Sequence, residues 1–107
     1  MNLTNRPILQ KQPPIKDRAY MEKVATLPCI ACGAKPVEVH HCRDKPDHDE
    51  RHIYERIPGG AMKSGDRDTL PLCPACHDMF HRDRATFHHL HGRDYRLLPL
   101  VRSLVEG

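Results

Sequence analysis

Two Cys-x-x-Cys pairs, placed far apart in the sequence, constrain this chain more than any other feature. They are Cys29 with Cys32 and Cys73 with Cys76. A two-residue gap lets both sulfurs of a pair face one ion, and four thiolates complete the tetrahedral coordination of a structural zinc ion. The pairs are separated by far more than the ~15–20 residues of a compact zinc ribbon. Unpaired buried cysteines or a redox Cys-x-x-Cys are the alternatives, but two pairs that each lie beside a strand or helix start favour zinc.

The composition supports metal ligation because the chain has little with which to build a core. It has 107 residues, of which 5% are aromatic and none is tryptophan. A domain of this size commonly needs disulfides or a metal for stability. No apolar run resembles a signal peptide or could span a bilayer, so we expect a reducing cytoplasm and thiols that bind metal. Cys42, the odd fifth thiol, is predicted to be a small buried residue and not a ligand.

Residues 1–14 are predicted to form an extended arm. They hold three prolines among polar and basic residues, without a periodic apolar pattern. Residues 1–28 carry five basic and two acidic side chains, a balance of +3 that equals the net charge of the whole chain. Such a run fits a solvated tail and equally fits an arm that follows phosphates.

Residues 15–107 are predicted to form one small α+β domain that is stabilised by zinc. Apolar spacing of 3.6 residues indicates helices, and alternation indicates short strands. The predicted elements are helices over 15–27, 75–87 and 95–105 and strands over 37–41 and 70–72. The long segment over 43–67 is charged and rich in Gly and Pro, which predicts a functional or disordered loop.

Four residues define how these elements begin or pair. Asp17 could cap the first helix, and Pro74 fits the first turn of the second. Pro71 lacks an amide donor and should lie at a sheet edge. Pro99 lies inside the third predicted helix, where it either kinks the helix or marks its true start.

Histidines form a second cluster along the sequence. The doublet of His40 and His41 ends the first predicted strand, and His77 and His81 are four residues apart, so on a helix they share one face. Because adjacent strand residues point to opposite faces, one member of the doublet can face the helix and the other a substrate. A neutral imidazole serves both as a metal ligand and as a general base. The remaining histidines are predicted to have no special role: His48, His52, His88, His89 and His91.

The order of these motifs resembles the HNH endonucleases. From Leu27 to Arg82 it runs Cys-x-x-Cys, His-His, a glycine-containing loop, and Leu-Pro-Leu-Cys-x-x-Cys-His-x-x-x-His. The resemblance implies a ββα-metal core over about 27–88, flanked by N- and C-terminal helices. Two segments, 27–32 and 70–73, look especially like small phage-encoded HNH proteins such as recombination-enhancement nucleases. This implies DNA as the substrate, a bacterial host cytoplasm, and a recombination protein as a candidate partner.

The resemblance also implies roles for individual residues. The second member of the doublet, His41, would be the general base, and a divalent ion would be held by three histidines: His40, His77 and His81. Asp68 stands where the family has its middle Asn, and Asp can accept hydrogen bonds or ligate but cannot donate as Asn does. Asp66, two residues away, could compete for that position.

The implied mechanism is hydrolysis of a phosphodiester with one metal ion. His41 would deprotonate water, while the ion binds a phosphate oxygen and stabilises the leaving 3′ oxygen. Three His ligands and an open position suit zinc, nickel or manganese, whereas fewer protein ligands would favour magnesium. Basic residues expected to contact DNA and share its negative charge are Arg43, Lys63, Arg82 and Arg84.

Two other functions compete with the nuclease. A non-catalytic zinc module that binds nucleic acid or protein would use the same cysteines, and only the four clustered histidines distinguish it. A redox or metal-storage protein would use the Cys-x-x-Cys pairs, but it gives the His doublet no role.

Overall fold

Two short strands pair antiparallel and bring the histidine doublet beside the second cysteine pair. They are β1 (Glu38–His41) and β2 (Thr69–Leu72), in a register that places His40 opposite Leu70. The structure is a computed structural model that describes residues 15–107, and the arm predicted over residues 1–14 lies outside them. Among the residues that the structure describes, the sheet has only these two strands, so Pro71 is at an edge, as predicted.

Helices cover the sheet and complete a small α+β fold. In chain order they are α1 (Arg18–Val24), α2 (Pro74–Arg82), α3 (Arg84–His91) and α4 (Leu98–Glu106). Two 3₁₀ turns, His48–Ile53 and Asp94–Leu97, lie in the connections. Within residues 15–107, none of the helices is both long enough and apolar enough to span a bilayer.

The prediction of one continuous helix over 75–87 is wrong, because this segment belongs to two helices, α2 and α3. The break falls at Asp83, whose backbone leaves the helical region at φ −144° and ψ 67°. Its carboxylate accepts a hydrogen bond from the Thr86 amide and caps α3. Short acidic side chains prefer such caps to helix interiors. The resulting turn lets the Phe87 ring pack edge-on against Phe80 at 5.1 Å.

Two predicted helix starts are resolved by local contacts. The Asp17 carboxylate accepts a hydrogen bond from the Tyr20 amide at 3.0 Å, which confirms it as the N-cap of α1. Pro99 lies in the first turn of α4 and marks the start of that helix instead of kinking it. The residues that precede it form the 3₁₀ turn Asp94–Leu97, not a continuation of α4.

The core lies between the sheet and the three C-terminal helices. Its largest fully buried side chains include Tyr95, Phe80, Phe87, Leu70, Leu72 and Leu98. Because α2 and β1 pack on this core, His40 is buried against Phe80, and His77 and His81 are held beside it. This is how the fold positions the histidines.

The predicted loop over 43–67 is folded back on the domain by one buried carboxylate. Asp68 is fully buried, and its oxygens accept hydrogen bonds from the amides of Glu55, Arg56 and Gly65 at 2.8–2.9 Å. Arg102 of α4 donates to the same carboxylate at 2.6 Å. Asp68 therefore holds the middle and the C-terminal end of the loop against α4.

Candidate functional site

The four paired cysteines come together into one group. Their four Sγ atoms all lie within 4.8 Å of one another; the residues are Cys29, Cys32, Cys73 and Cys76. The Sγ atoms of Cys32 and Cys73 are 3.6 Å apart. Zinc–sulfur bonds of 2.3 Å in a tetrahedron separate sulfurs by about 3.8 Å. This group could therefore bind a metal such as zinc, whereas the fifth thiol, Cys42, is fully buried outside it, as predicted.

Local backbone geometry brings the two cysteine pairs together. Gly33 adopts φ +83°, a conformation that other residues rarely take, and its amide donates to the Cys29 carbonyl. The Ile30 amide donates to the Pro71 carbonyl at 2.9 Å, which attaches the first pair to β2. In the second pair, the Cys73 sulfur caps α2.

Backbone hydrogen bonds favour ionisation of one thiol in the group. Burial alone would raise the pKa of Cys29, but hydrogen bonds from backbone groups of Cys73, Cys32 and Ala31 outweigh it and lower that pKa to about 7. Burial raises the pKa of Cys76. The first thiolate is therefore available near neutral pH, and a bound cation would favour ionisation of the others.

Three histidines form a second candidate metal site. Ring nitrogens of His40 from β1 and of His77 and His81 from α2 lie within 4.8 Å of one another. The Nε2 atoms of His77 and His81 are 3.2 Å apart. Zinc–nitrogen bonds of 2.0–2.1 Å in a tetrahedron separate two nitrogens by about 3.3 Å. The two helix histidines therefore have the spacing of two ligands to one ion.

Carboxylates hold the outer nitrogens of two of these rings. His40 Nε2 lies 2.9 Å from Asp94 Oδ2, and His77 Nδ1 lies 2.6 Å from Glu38 Oε1. Histidines that bind metals usually donate their second N–H to such a group. The arrangement leaves His40 Nδ1 and His77 Nε2 as the nitrogens with lone pairs. Neither carboxylate was predicted. Glu38 is two residues from His40 on β1, so strand alternation could have placed both side chains on one face. Nothing in the sequence around Asp94 indicated that it would contact His40.

The protonation of these rings suits metal binding. Burial lowers the pKa of His40, and the hydrogen bond that the ring donates to Asp94 only partly opposes this shift. Burial and the neighbouring His77 ring lower the pKa of His81. Both rings are therefore neutral at neutral pH and can offer a lone pair.

His41, the next residue of β1, belongs to a different contact. Its Nε2 lies 3.0 Å from Asp66 Oδ1, and the ring is partly exposed. Burial alone would raise the pKa of Asp66, but hydrogen bonds from His41 and from the Asp17 amide outweigh it and lower the pKa. The ionised carboxylate accepts a hydrogen bond from Nε2–H, and Nδ1 is left with a lone pair that can accept a proton. Of the two candidate acids, Asp66 therefore contacts His41, and Asp68 braces the loop.

A cavity of about 900 Å³ opens in front of both histidine sites. Its wall includes His40, His41, His77 and His81 together with four cations, Arg43, Lys45, Arg51 and Lys63. No carboxylate is among the described residues that line it, nor does any salt bridge within residues 15–107 involve these four cations. The cavity is thus strongly positive.

Two of the predicted DNA contacts lie elsewhere. Arg82 is exposed and pairs with Asp78 at 2.7 Å, and Arg84 stacks over Phe80 and pairs with Asp44. Neither lines the cavity, whereas the predicted Arg43 and Lys63 do. Lys45 and Arg51 were not predicted, because the long loop has no periodicity that would assign its side chains to one face.

Three histidines that were predicted to have no special role also make specific contacts. His48 lines the cavity, and His88 Nε2 lies 2.8 Å from the buried Asp44 carboxylate. His91 packs against the Phe87 ring at 5.0 Å. Of these, only His48 faces the cavity.

Fold and site together define a small α+β domain with one tetracysteine group and one histidine group at a cationic cavity. The chain belongs to the family described as "Protein of unknown function (DUF968)", which matches residues 5–104. No curated protein and no solved structure matches the chain.

Removing one thiol should remove the tetracysteine metal. Cys32 is the exposed member of the group, so Cys32→Ala sacrifices little packing but deletes one ligand. After exchange with cobalt(II), we expect wild type to show thiolate-to-cobalt charge-transfer absorption and Cys32→Ala to lose most of it, with a lower Tm. Cys42→Ala is the control and should keep the full absorption. An unchanged spectrum for Cys32→Ala would contradict a four-thiol site.

The imidazoles of His40 and His81 should resist protonation. With the cysteine metal bound and no second metal added, NMR titration should give pKa values for His40 and His81 below the unperturbed ~6.5. Since the unfolded chain would bind these protons first, the stability that neutral His40 contributes is present above pH ~6.5. It is lost as pH falls through its lower folded-state pKa. A His40 pKa at or above that of a free histidine would contradict the buried site.

Proposed function

We propose that this protein is a metal-dependent DNA endonuclease of the HNH type, in which β1, β2 and α2 form the ββα-metal core. One observation carries the proposal. Three imidazoles from β1 and α2 converge at ligand spacing, and a fourth, from the adjacent residue of β1, lies in the same cationic cavity. A purely structural cluster would not require a further histidine, His41, whose ring is held by its own carboxylate, Asp66.

The donor set fits a divalent ion. His40, His77 and His81 would hold it through neutral nitrogens, which suits zinc, nickel or manganese. Magnesium would require further oxygen ligands from water or phosphate. Such an ion, when bound, supplies Lewis-acid stabilisation of charge on the phosphate and on the leaving 3′ oxygen. The four cysteines would hold a separate structural zinc that keeps β2 and α2 in place.

The protein's own residues would supply the proton transfer. His41 accepts a proton from water at Nδ1, because Asp66 occupies its Nε2. The carboxylate keeps the ring in that tautomer and stabilises the imidazolium that forms. Asp66 therefore acts through His41, in the position where the family pattern first suggested Asp68.

The cavity cations support DNA as the substrate. Arg43, Lys45, Arg51 and Lys63 face the cavity without carboxylate partners among the described residues, so they are available to phosphates. Phosphate contacts of this kind make binding salt-dependent. A role in phage or prophage DNA processing, with a recombination protein as partner, is part of the proposal on the strength of the sequence resemblance alone.

Substitution of His41 tests the nuclease directly. Supercoiled plasmid is incubated with wild type or His41→Ala in magnesium, manganese, nickel or zinc, and nicked product is measured over time. We expect nicking by wild type and a 10²- to 10⁴-fold lower rate for His41→Ala, the usual contribution of a general base. His52→Ala is the matched control, because His52 is exposed and does not line the cavity.

Two outcomes would contradict the proposal. Nicking by His41→Ala at the wild-type rate would remove His41 as the base. Binding of DNA without nicking in any of the four metals would favour the non-catalytic zinc module.

A further inference from the structure

We propose that Asp94 is a positioning residue for the histidine metal site. It holds the His40 ring with its proton on Nε2, so that Nδ1 is kept as a lone pair for the ion. The inference rests on the proposed function in one respect, since it takes His40 as a ligand. Asp94 lies 54 residues from His40 in the sequence, so the C-terminal segment that carries it becomes part of the site.

Both oxygens of Asp94 act as acceptors. The carboxylate is fully buried. Oδ2 accepts from the Arg43 amide at 2.7 Å and lies 2.9 Å from His40 Nε2, and Oδ1 accepts from the Asp44 amide at 3.1 Å. Backbone amides can only donate, so these contacts fix which oxygen faces which group. His40 Nε2 therefore faces an acceptor and carries the proton.

The backbone of Asp94 is fixed by a reciprocal contact. Its own amide donates to Asp44 Oδ2 at 2.8 Å, while the Asp44 amide donates back to the Asp94 carboxylate. Arg84 and His88 from α3 hold the Asp44 carboxylate at 3.1 and 2.8 Å. The carboxylate of Asp94 thus has little freedom to move away from His40.

Packing fixes the plane of the His40 ring, and Asp94 decides its tautomer. The ring packs edge-on against Phe80 at 4.6 Å and lies 5.1 Å from the His77 ring. A ring held there with its proton on Nδ1 could not bind an ion. Glu38 makes the corresponding contact with His77, but its side chain is 52% exposed, so water can replace it. Asp94 is the contact that water cannot replace.

The test is Asp94→Ala, which removes both acceptor oxygens. Without the acceptor beside Nε2, nothing holds the proton there, and the ring can carry it on Nδ1. Long-range ¹H–¹⁵N NMR of the imidazoles reports the protonated nitrogen without any metal at the histidines. Calorimetric titration with nickel(II) then reports the affinity of the site, with the cysteine metal already bound.

We expect wild-type His40 to carry its proton on Nε2 and the Ala variant to populate the tautomer with the proton on Nδ1. Nickel should bind 10- to 100-fold more weakly to the variant, the range for loss of such a partner. Asp47→Ala is the control, because Asp47 is exposed, pairs with Arg93 and Arg96, and does not contact His40. It should leave the His40 tautomer unchanged and the nickel affinity within a few-fold of wild type.

The outcomes separate this inference from the function on which it rests. Wild-type His40 with its proton on Nδ1 would overturn the inference, even where the Ala variant fails to fold. An Asp94→Ala variant that binds nickel as tightly as wild type would overturn it as well. A wild type that binds no nickel at the histidines would instead overturn the proposed metal site.

Discussion

The sulfur atoms of two cysteine pairs that are distant in sequence cluster at the end of β2. The positions of the other functional side chains depend on this cluster. The first pair follows α1 and is hydrogen-bonded to β2 through the Ile30 amide. The second pair ends β2 and begins α2. A metal shared by both pairs would tie α1, the sheet and α2 together in a chain whose apolar core is small. The histidines of α2 would then face β1 at a fixed distance.

The pleat of β1 separates the roles of the two adjacent histidines. Residues two apart share a strand face, so Glu38 and His40 both contact groups on the α2 side. His41 lies on the other face, where Asp66 holds it. A single four-residue strand can therefore offer a metal ligand and a candidate base to one cavity. Each imidazole has its own carboxylate partner, Asp94 for His40 and Asp66 for His41.

Local patterns predicted the parts of this site that lie close in sequence. The Cys-x-x-Cys spacing, the doublet and the i, i+4 pair of His77 and His81 each depend on one turn or one element. Asp94 could not be predicted, because it meets His40 only after α3 and α4 have packed. The break at Asp83 was missed because apolar spacing continues through it, and only the capping preference of Asp indicates the end of α2. The choice between Asp66 and Asp68 likewise needed the loop in place.

Anomalous diffraction from crystals soaked with zinc or manganese tests the central claim most directly. Maps at the absorption edge of each metal locate ions without reference to activity. The account predicts a zinc peak among Cys29, Cys32, Cys73 and Cys76 and a second metal peak bounded by His40, His77 and His81. A single peak at the cysteines, with none at the histidines in either metal, would contradict it. So would a peak at the neighbouring group of His40, Cys42 and Asp94.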